Sequence, residues 1–277
     1  MCATCGCGQP AAQTHERGHA HDPSHDHSHE HGNGHSHTNG HTAETPSIVK
    51  PSAQPIAARS MIEIEQAILA GNDHIAANNR SFLDRRHTRG FNIISSPGAG
   101  KTTLLEKTLT ALRARSVGCA VVEGDQATDL DAQRIARTGV PVFQIETGRA
   151  CHLDAQQVHQ ALVAIAIPER GLLFIENVGN LICPTEFNLG EHERITIVSV
   201  AEGHDKPAKY PLAFRNATAI VISKIDLLPH VDFNIVEARR LMAGLNPKAP
   251  IFELSATTGV GMDAWLSWLQ HMLPVEV

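Results

Sequence analysis

The chain has 277 residues, 42% apolar and 19% charged, with a formal net charge of −6 when its histidines are neutral. That length allows one large or two small domains, and an acidic balance without a Lys/Arg cluster argues against a nucleic-acid-binding surface. No run of about 18 apolar residues occurs, so no membrane span is expected, and no charged n-region leads into an apolar stretch as a secretory signal requires. The expected location is therefore cytoplasmic. There, six cysteines serve as thiolate ligands or small buried side chains rather than disulfides. Aromatics make up only 4% of the chain, so the core must be aliphatic.

Residues 1–41 read as a metal-binding tail. The chain begins MCATCGCG, which spaces Cys2, Cys5 and Cys7 as C-x-x-C-x-C. Thiolates this close grip one soft or borderline metal, and nickel, copper and zinc all suit. With Met1 removed, the amine of Cys2 offers a fourth ligand, which would favour square-planar nickel. His15, His19, His21, His25, His27, His29, His31, His35, His37 and His41 follow. So many imidazoles on a polar chain favour several weak sites over one defined site. The stretch is too poor in apolar residues to offset its ordering entropy, so it is expected to be disordered without metal. Residues 42–59 read as a linker kept extended by Pro46, Pro51 and Pro55. Residues 60–277 read as one domain with N-terminal helices.

Two helices are predicted first, near 61–70 and 74–86, with Gly71 between them. Short apolar runs at 91–95, 119–123, 142–145, 172–175, 195–200, 219–223 and 251–254 predict strands. Amphipathic stretches at 101–115, 127–137, 154–165, 233–244 and 262–271 predict helices. Strands that are apolar throughout and alternate with helices predict an α/β fold, a largely parallel sheet flanked by helices. Ligands on such folds bind at the carboxyl ends of the strands.

FNIISSPGAGKTTLL runs strand, loop, helix. It matches G-x-x-x-x-G-K-[ST] except that Ser95 replaces the first glycine. Pro97, Gly98, Ala99 and Gly100 would cradle phosphates with backbone N–H groups, helped by the positive end of the next helix. Lys101 would bridge the β- and γ-phosphates, and Thr102, followed by Thr103, would hold magnesium. Asp125, ending the strand in VVEGD, and Glu176, ending the strand in LLFIEN, would complete the magnesium site or orient the attacking water. Lys101, Asp125 and Glu176 are the candidate catalytic residues.

VISKIDLL resembles the N-K-x-D guanine-reading signature. Asp226 would accept from the guanine N1–H and N2 amine, donors that adenine lacks at those positions, and Lys224 would lay its stem over the ring. Ser223 stands where such a motif normally has a bracing Asn. Ser255 and Ala256, in LSATTG, would support the base through their backbone.

A second set of metal ligands falls inside the domain. Cys151 and His152 are adjacent in TGRACHLDA, and Cys183 lies in ENVGNLICP, directly after the strand carrying Glu176. Two thiols and one imidazole leave a coordination gap for water or a dimer mate. Cys119, in GCAVV, reads as buried filler.

Taken together, C-x-x-C-G-C, SSPGAGKTTLLE, EGDQATDLDAQR, the Cys151–His152 pair, ENVGNLICP, EGHDKPAKYP, S-K-I-D and SATTGVGMDAWLSWL resemble the nickel-incorporation GTPases of nickel–iron hydrogenase maturation, the HypB family. The resemblance covers nearly the whole chain. It implies a slow, magnesium-dependent P-loop GTPase of the class that dimerises around nucleotide. It implies a high-affinity nickel site at Cys2, Cys5 and Cys7, and a weaker nickel or zinc site at Cys151, His152 and Cys183. The implied partners are a second copy of the chain, the hydrogenase large-subunit precursor and a HypA-type accessory nickel/zinc protein. Lys206 and Lys209, in DKPAKYP, are either surface lysines or residues that reach a nucleotide across a dimer. Two rival readings are a nickel storage protein and a GTP-dependent nickel loader for another enzyme such as urease.

Overall fold

The computed structural model describes residues 57–274, with side chains from residue 61 onward. Cys2, Cys5, Cys7, the ten tail histidines and residues 42–56 of the expected linker lie outside the described residues. Helix α1 spans Ala57–Arg85. It is followed by β1 (Arg89–Ser95), α2 (Lys101–Ala114), β2 (Cys119–Asp125), α3 (Leu130–Ala136), β3 (Val142–Glu146), α4 (Ala155–Ala164), β4 (Leu172–Glu176) and β5 (Glu193–Ser199). Two short helices, α5 (Lys206–Lys209) and α6 (Pro211–Arg215), precede β6 (Ala219–Ser223), α7 (Ile235–Leu245), β7 (Ile251–Glu253) and α8 (Met262–His271).

The seven strands form one sheet in the order β3-β2-β4-β1-β5-β6-β7, and every adjacent pair is parallel. This is the α/β architecture expected from the apolar runs. Strands β1, β4 and β6 are buried along almost their whole length, because helices cover both faces of the sheet. On one face Leu105, Leu109 and Leu112 of α2 pack with Phe91, Phe174, Trp265 and Leu269. On the other, Val158, Ala161 and Leu162 of α4 pack with Ile175, Leu173 and Leu83. Each fully buried leucine or phenylalanine contributes about 2 kcal/mol of transfer free energy.

One sequence expectation is overturned. The two predicted N-terminal helices are a single 29-residue helix that continues through Gly71. Nothing lies within 4 Å of a Cβ placed on Gly71, so no packing demands a break there. A mid-helix glycine costs about 1 kcal/mol, and the anchoring of α1 outweighs it. Asn79 Nδ2 donates to Ala155 O and Leu189 O at 2.8 and 3.0 Å, and Asn72 donates to Asn188 O and accepts from Ala155 N. The helix also begins at Ala57, inside the stretch read as linker.

The order of the strands positions the site. β4 lies between β2 and β1, so the carboxyl ends of three strands meet where the chain leaves β1 for the loop before α2. Register places Glu123 of β2 opposite Glu176 of β4, and Glu176 opposite Ile93 of β1.

Candidate functional site

A cleft of about 500 Å³ opens above these strand ends. Its lining includes Pro97, Gly98, Gly100, Lys101, Thr102 and Thr103 from the loop and α2, and Asp125, Glu176 and Lys224. The loop turns because Gly98 and Gly100 have φ of 75° and 94°, a region open to glycine and strained for other residues. Gly100 is the N-cap of α2, so the helix begins at the lysine and directs its first N–H groups at the cleft.

Lys101 Nζ donates to Ser95 Oγ at 3.1 Å. Burial holds the Lys101 ammonium below its ordinary pKa, and Glu176 is the largest charge opposing that shift. Thr102 Oγ1 donates to Glu176 Oε1 at 2.6 Å. Glu176 is buried, its Oε2 lacks a hydrogen-bond partner, and burial pushes its pKa up to about 7. Asp125 faces the cleft while its Oδ1 accepts from Ala127 N and Thr128 N at 2.9 and 3.0 Å, fixing the turn into α3.

Three charged cleft residues, Glu123, Asp131 and Arg134, were not singled out from sequence. Glu123 is 2% exposed, and its Oε2 also lacks a partner. Burial, then the neighbouring Glu176, pushes its pKa up to about 8. Ligand oxygens of Glu123, Asp125 and Asp131 lie within 4.8 Å of one another. Arg134 donates to Thr103 Oγ1 and Glu106 Oε2 at 3.0 and 2.9 Å, and to Asp131 at 3.2 Å. One signal for Glu123 was present: a charged residue two positions before Asp125 shares its face of the strand.

Buried, partnerless carboxylate oxygens beside a threonine hydroxyl fit a hard divalent cation, which takes oxygen ligands. Thr102 and Glu176, with Asp125 and Glu123 close by, are the residues that fit magnesium.

Of the base-reading candidates, Lys224 lines the cleft. Lys224, in the left-handed region at φ 58°, sends its Nζ to Gly98 O at 2.7 Å. Its stem runs alongside Gly100, whose Cβ would lie 3.5 Å from Lys224 Cε. Ser223 takes over a bracing role, because its Oγ donates to Ala99 O at 2.7 Å. Asp226 is exposed on the turn Ile225–His230. Ser255 is buried, and its Oγ accepts from Thr258 N at 3.1 Å, while Ala256 packs against the core. Asp226, Ser255 and Ala256 do not line the phosphate cleft. Lys206 Nζ donates to Ser96 Oγ of its own chain at 3.0 Å, and Lys209 pairs with Asp205 at 2.6 Å.

The structure brings the inner metal candidates together. Ligand atoms of Cys151, His152 and Cys183 lie within 4.8 Å of one another. Cys151 Sγ is 3.8 Å from His152 Nδ1, and the His152 ring packs 4.1 Å from Phe187. Burial holds His152 below its ordinary pKa, which favours the neutral imidazole that metals bind. Two thiols and one imidazole suit a borderline transition metal. Cys119 stands apart, buried in the core, with its thiol pushed up to about 12 by burial. Cys151 also lines the phosphate cleft, so the two sites adjoin.

Comparison with known proteins places the chain in a family. Residues 90–253 match the family model "CobW/HypB/UreG, nucleotide-binding domain". The hydrogenase maturation factor HypB of Escherichia coli K12 is 47% identical over 212 residues, covering 76% of this chain and 73% of the relative. The crystal structure of HypB from Archaeoglobus fulgidus superposes with a TM-score of 0.70 at 38% identity, over 74% of this chain and all of that one. HypB from Helicobacter pylori, solved in complex with nickel, gives 0.67 at 35% identity, over 75% and 99% of the two chains. With its phosphate loop and all-parallel sheet, the chain therefore belongs to the HypB hydrogenase maturation factors, P-loop GTPases within the CobW/HypB/UreG family.

Proposed function

We propose that the chain is a GTP-hydrolysing nickel metallochaperone that supplies nickel to the large-subunit precursor of a nickel–iron hydrogenase. The observation that carries this reading is the adjacency of the two sites: Cys151 lines the phosphate cleft while its thiol stands with His152 and Cys183. The nickel-bound relative supports the choice of metal, and zinc suits the same ligands.

On this reading, the N–H groups of residues 97–102 bind the phosphates and Lys101 neutralises charge developing on the transferred group. Thr102 and Glu176 would hold magnesium, which would supply neutralisation of the phosphate charge. Asp125 and Glu123 orient water at the cleft floor. Asp226 and Lys224 read guanine, and the backbone at Ser255 and Ala256 supports the base. Intrinsic hydrolysis is slow, and GTP draws two copies into a homodimer. Cys2, Cys5 and Cys7 hold nickel tightly, the histidines from His15 to His41 store more of it, and residues 42–56 tether both to the domain. A HypA-type accessory protein shares the delivery, which takes place in the cytoplasm.

Delivery is the test. Nickel-loaded chain mixed with apo large-subunit precursor, and with the accessory protein, is expected to transfer nickel faster with GTP than with GDP. Equal transfer with either nucleotide contradicts the proposal. Deleting residues 8–41 is expected to lower nickel bound per chain while leaving delivery intact in ample nickel; a loss of delivery would contradict the storage role.

A further inference from the structure

The segment running from Glu176 to Cys183 belongs to both sites, and two asparagines on it hold the other half of the metal cluster. Asn177, 1% exposed, follows Glu176 directly. Its Oδ1 accepts from Leu153 N, next to His152, at 3.0 Å, and its Nδ2 donates to Asn92 Oδ1 at 3.3 Å. Asn180 forms an antiparallel bridge with Ser95, the residue whose hydroxyl accepts from Lys101. Asn180 Nδ2 donates to Cys151 O at 3.4 Å, and its Oδ1 accepts from Ile182 N at 2.9 Å, one residue before Cys183. Asn180 thus touches the backbone at Cys151 and at the approach to Cys183 while pairing with the strand that feeds the phosphate loop.

Between the two asparagines the segment lies directly on that loop. A Cβ on Gly179 would fall 2.9 Å from both N and Cα of Pro97. No side chain intervenes to absorb a shift, so a displacement of Pro97 toward Gly179 must displace residues 178–180. An asparagine is suited to pass that displacement on, because one short side chain offers both a donor and an acceptor. A leucine of similar size holds neither.

We propose that Asn180 is the positioning residue that converts a change at the phosphate loop into a change in the spacing of Cys151 and Cys183. The proposal rests on the GTP-driven delivery proposed above, taken to work through a nickel affinity at Cys151, His152 and Cys183 that differs between the GDP and GTP states, and it names the contact that transmits the effect.

The test uses the full-length chain with Cys2→Ala, Cys5→Ala and Cys7→Ala. The remaining cysteines are then Cys119, Cys151 and Cys183. Cys119 stays protonated in the core, so thiolate-to-nickel charge-transfer absorption reports the inner site alone. Nickel is titrated with GDP and with a non-hydrolysable GTP analogue. In the parent chain the two affinities should differ, typically by about five-fold or more for a coupled pair of sites. Asn180→Ala should bring their ratio to within about two-fold of one, while hydrolysis and the GDP-state nickel affinity stay within about two-fold of the parent. An unchanged ratio overturns the proposal, as does an equal loss of affinity in both states, which marks a structural role. A ratio of one in the parent overturns the underlying reading itself. Should Asn180→Ala fail to fold, Asn180→Asp keeps the acceptor for Ile182 N and removes the donor to Cys151 O; its added charge shifts nickel affinity in both states, so only the ratio is read, and it should again lie within about two-fold of one.

Discussion

The phosphate cleft and the Cys151–His152–Cys183 cluster adjoin, yet they are built differently. The cleft rests on the carboxyl ends of three parallel strands, and its side chains bond mostly to one another: Lys101 to Ser95, Thr102 to Glu176, Arg134 to Thr103. The cluster rests on two connecting segments, with Cys151 and His152 after β3 and Cys183 in a short turn after β4. Its geometry depends on contacts such as those of Asn177 and Asn180. A site fixed by a sheet keeps its shape without its ligand. One assembled from two segments keeps its shape only while they hold their relative position, which makes it the responsive partner.

The sharpest way to break this contrast is Lys101→Ala. It should lower GTP hydrolysis by about 10³-fold, the scale for removing a preorganised charge from a transition state, while leaving nickel bound at Cys2, Cys5 and Cys7 unchanged. Phosphate release measures the first and equilibrium dialysis the second. Loss of both would mean that head and domain are not independent.

Acidity offers a second test, because among the described residues only the cleft holds strongly perturbed carboxyls. In the protein free of nucleotide and metal, Glu176 and Glu123 titrate at about 7 and 8 rather than 4.5. The folded state then holds their protons more tightly than the unfolded chain does. Their contribution is complete below pH 4.5 and is lost as pH rises through 7 and 8. His152 and His192, lowered from 6.5 by burial, act in the opposite sense below that value, and Lys101, held below 10.5 by burial, opposes the loss where it deprotonates, so the two carboxyls are read between pH 6.5 and 8. Across that window the protein should lose about 2 kcal/mol, or about 5 °C in Tm, and magnesium with nucleotide should reverse the loss. A Tm that is flat or rising in the free protein would contradict these assignments.

How far the sequence led depended on whether a feature is local. The central strands were visible because a strand buried on both faces must be apolar along most of its length, as LLFIE and AIVIS are up to their last residue, and the partly buried edge strands β3 and β7 still carry short apolar runs. The phosphate loop was visible because its glycines, lysine and threonine are contiguous. Glu123 was missed because its environment comes from lying opposite Glu176, a residue far along the chain whose register no local pattern encodes. The continuity of α1 was missed because Gly71 reads as a break, whereas Asn72 and Asn79 anchor the helix through distant backbone carbonyls. Short helices α5 and α6 are too brief to show a period.

Ser223→Ala is the smallest of the expected effects. It removes the hydroxyl that accompanies Ala99 O at 2.7 Å and should cost about 1 kcal/mol, or at most about five-fold in KM for GTP. The nickel affinity of the cluster in the GDP state should not move. A large change there would mean that the loop controls the cluster even without a change of nucleotide.

The most direct measurement is a nickel titration of the full-length chain carrying Cys2→Ala, Cys5→Ala and Cys7→Ala, with GDP and with a non-hydrolysable GTP analogue. Coupled sites predict two distinct affinities, and by linkage nickel must change the preference between the two nucleotides by the same factor. One affinity, whichever nucleotide occupies the cleft, would contradict the account.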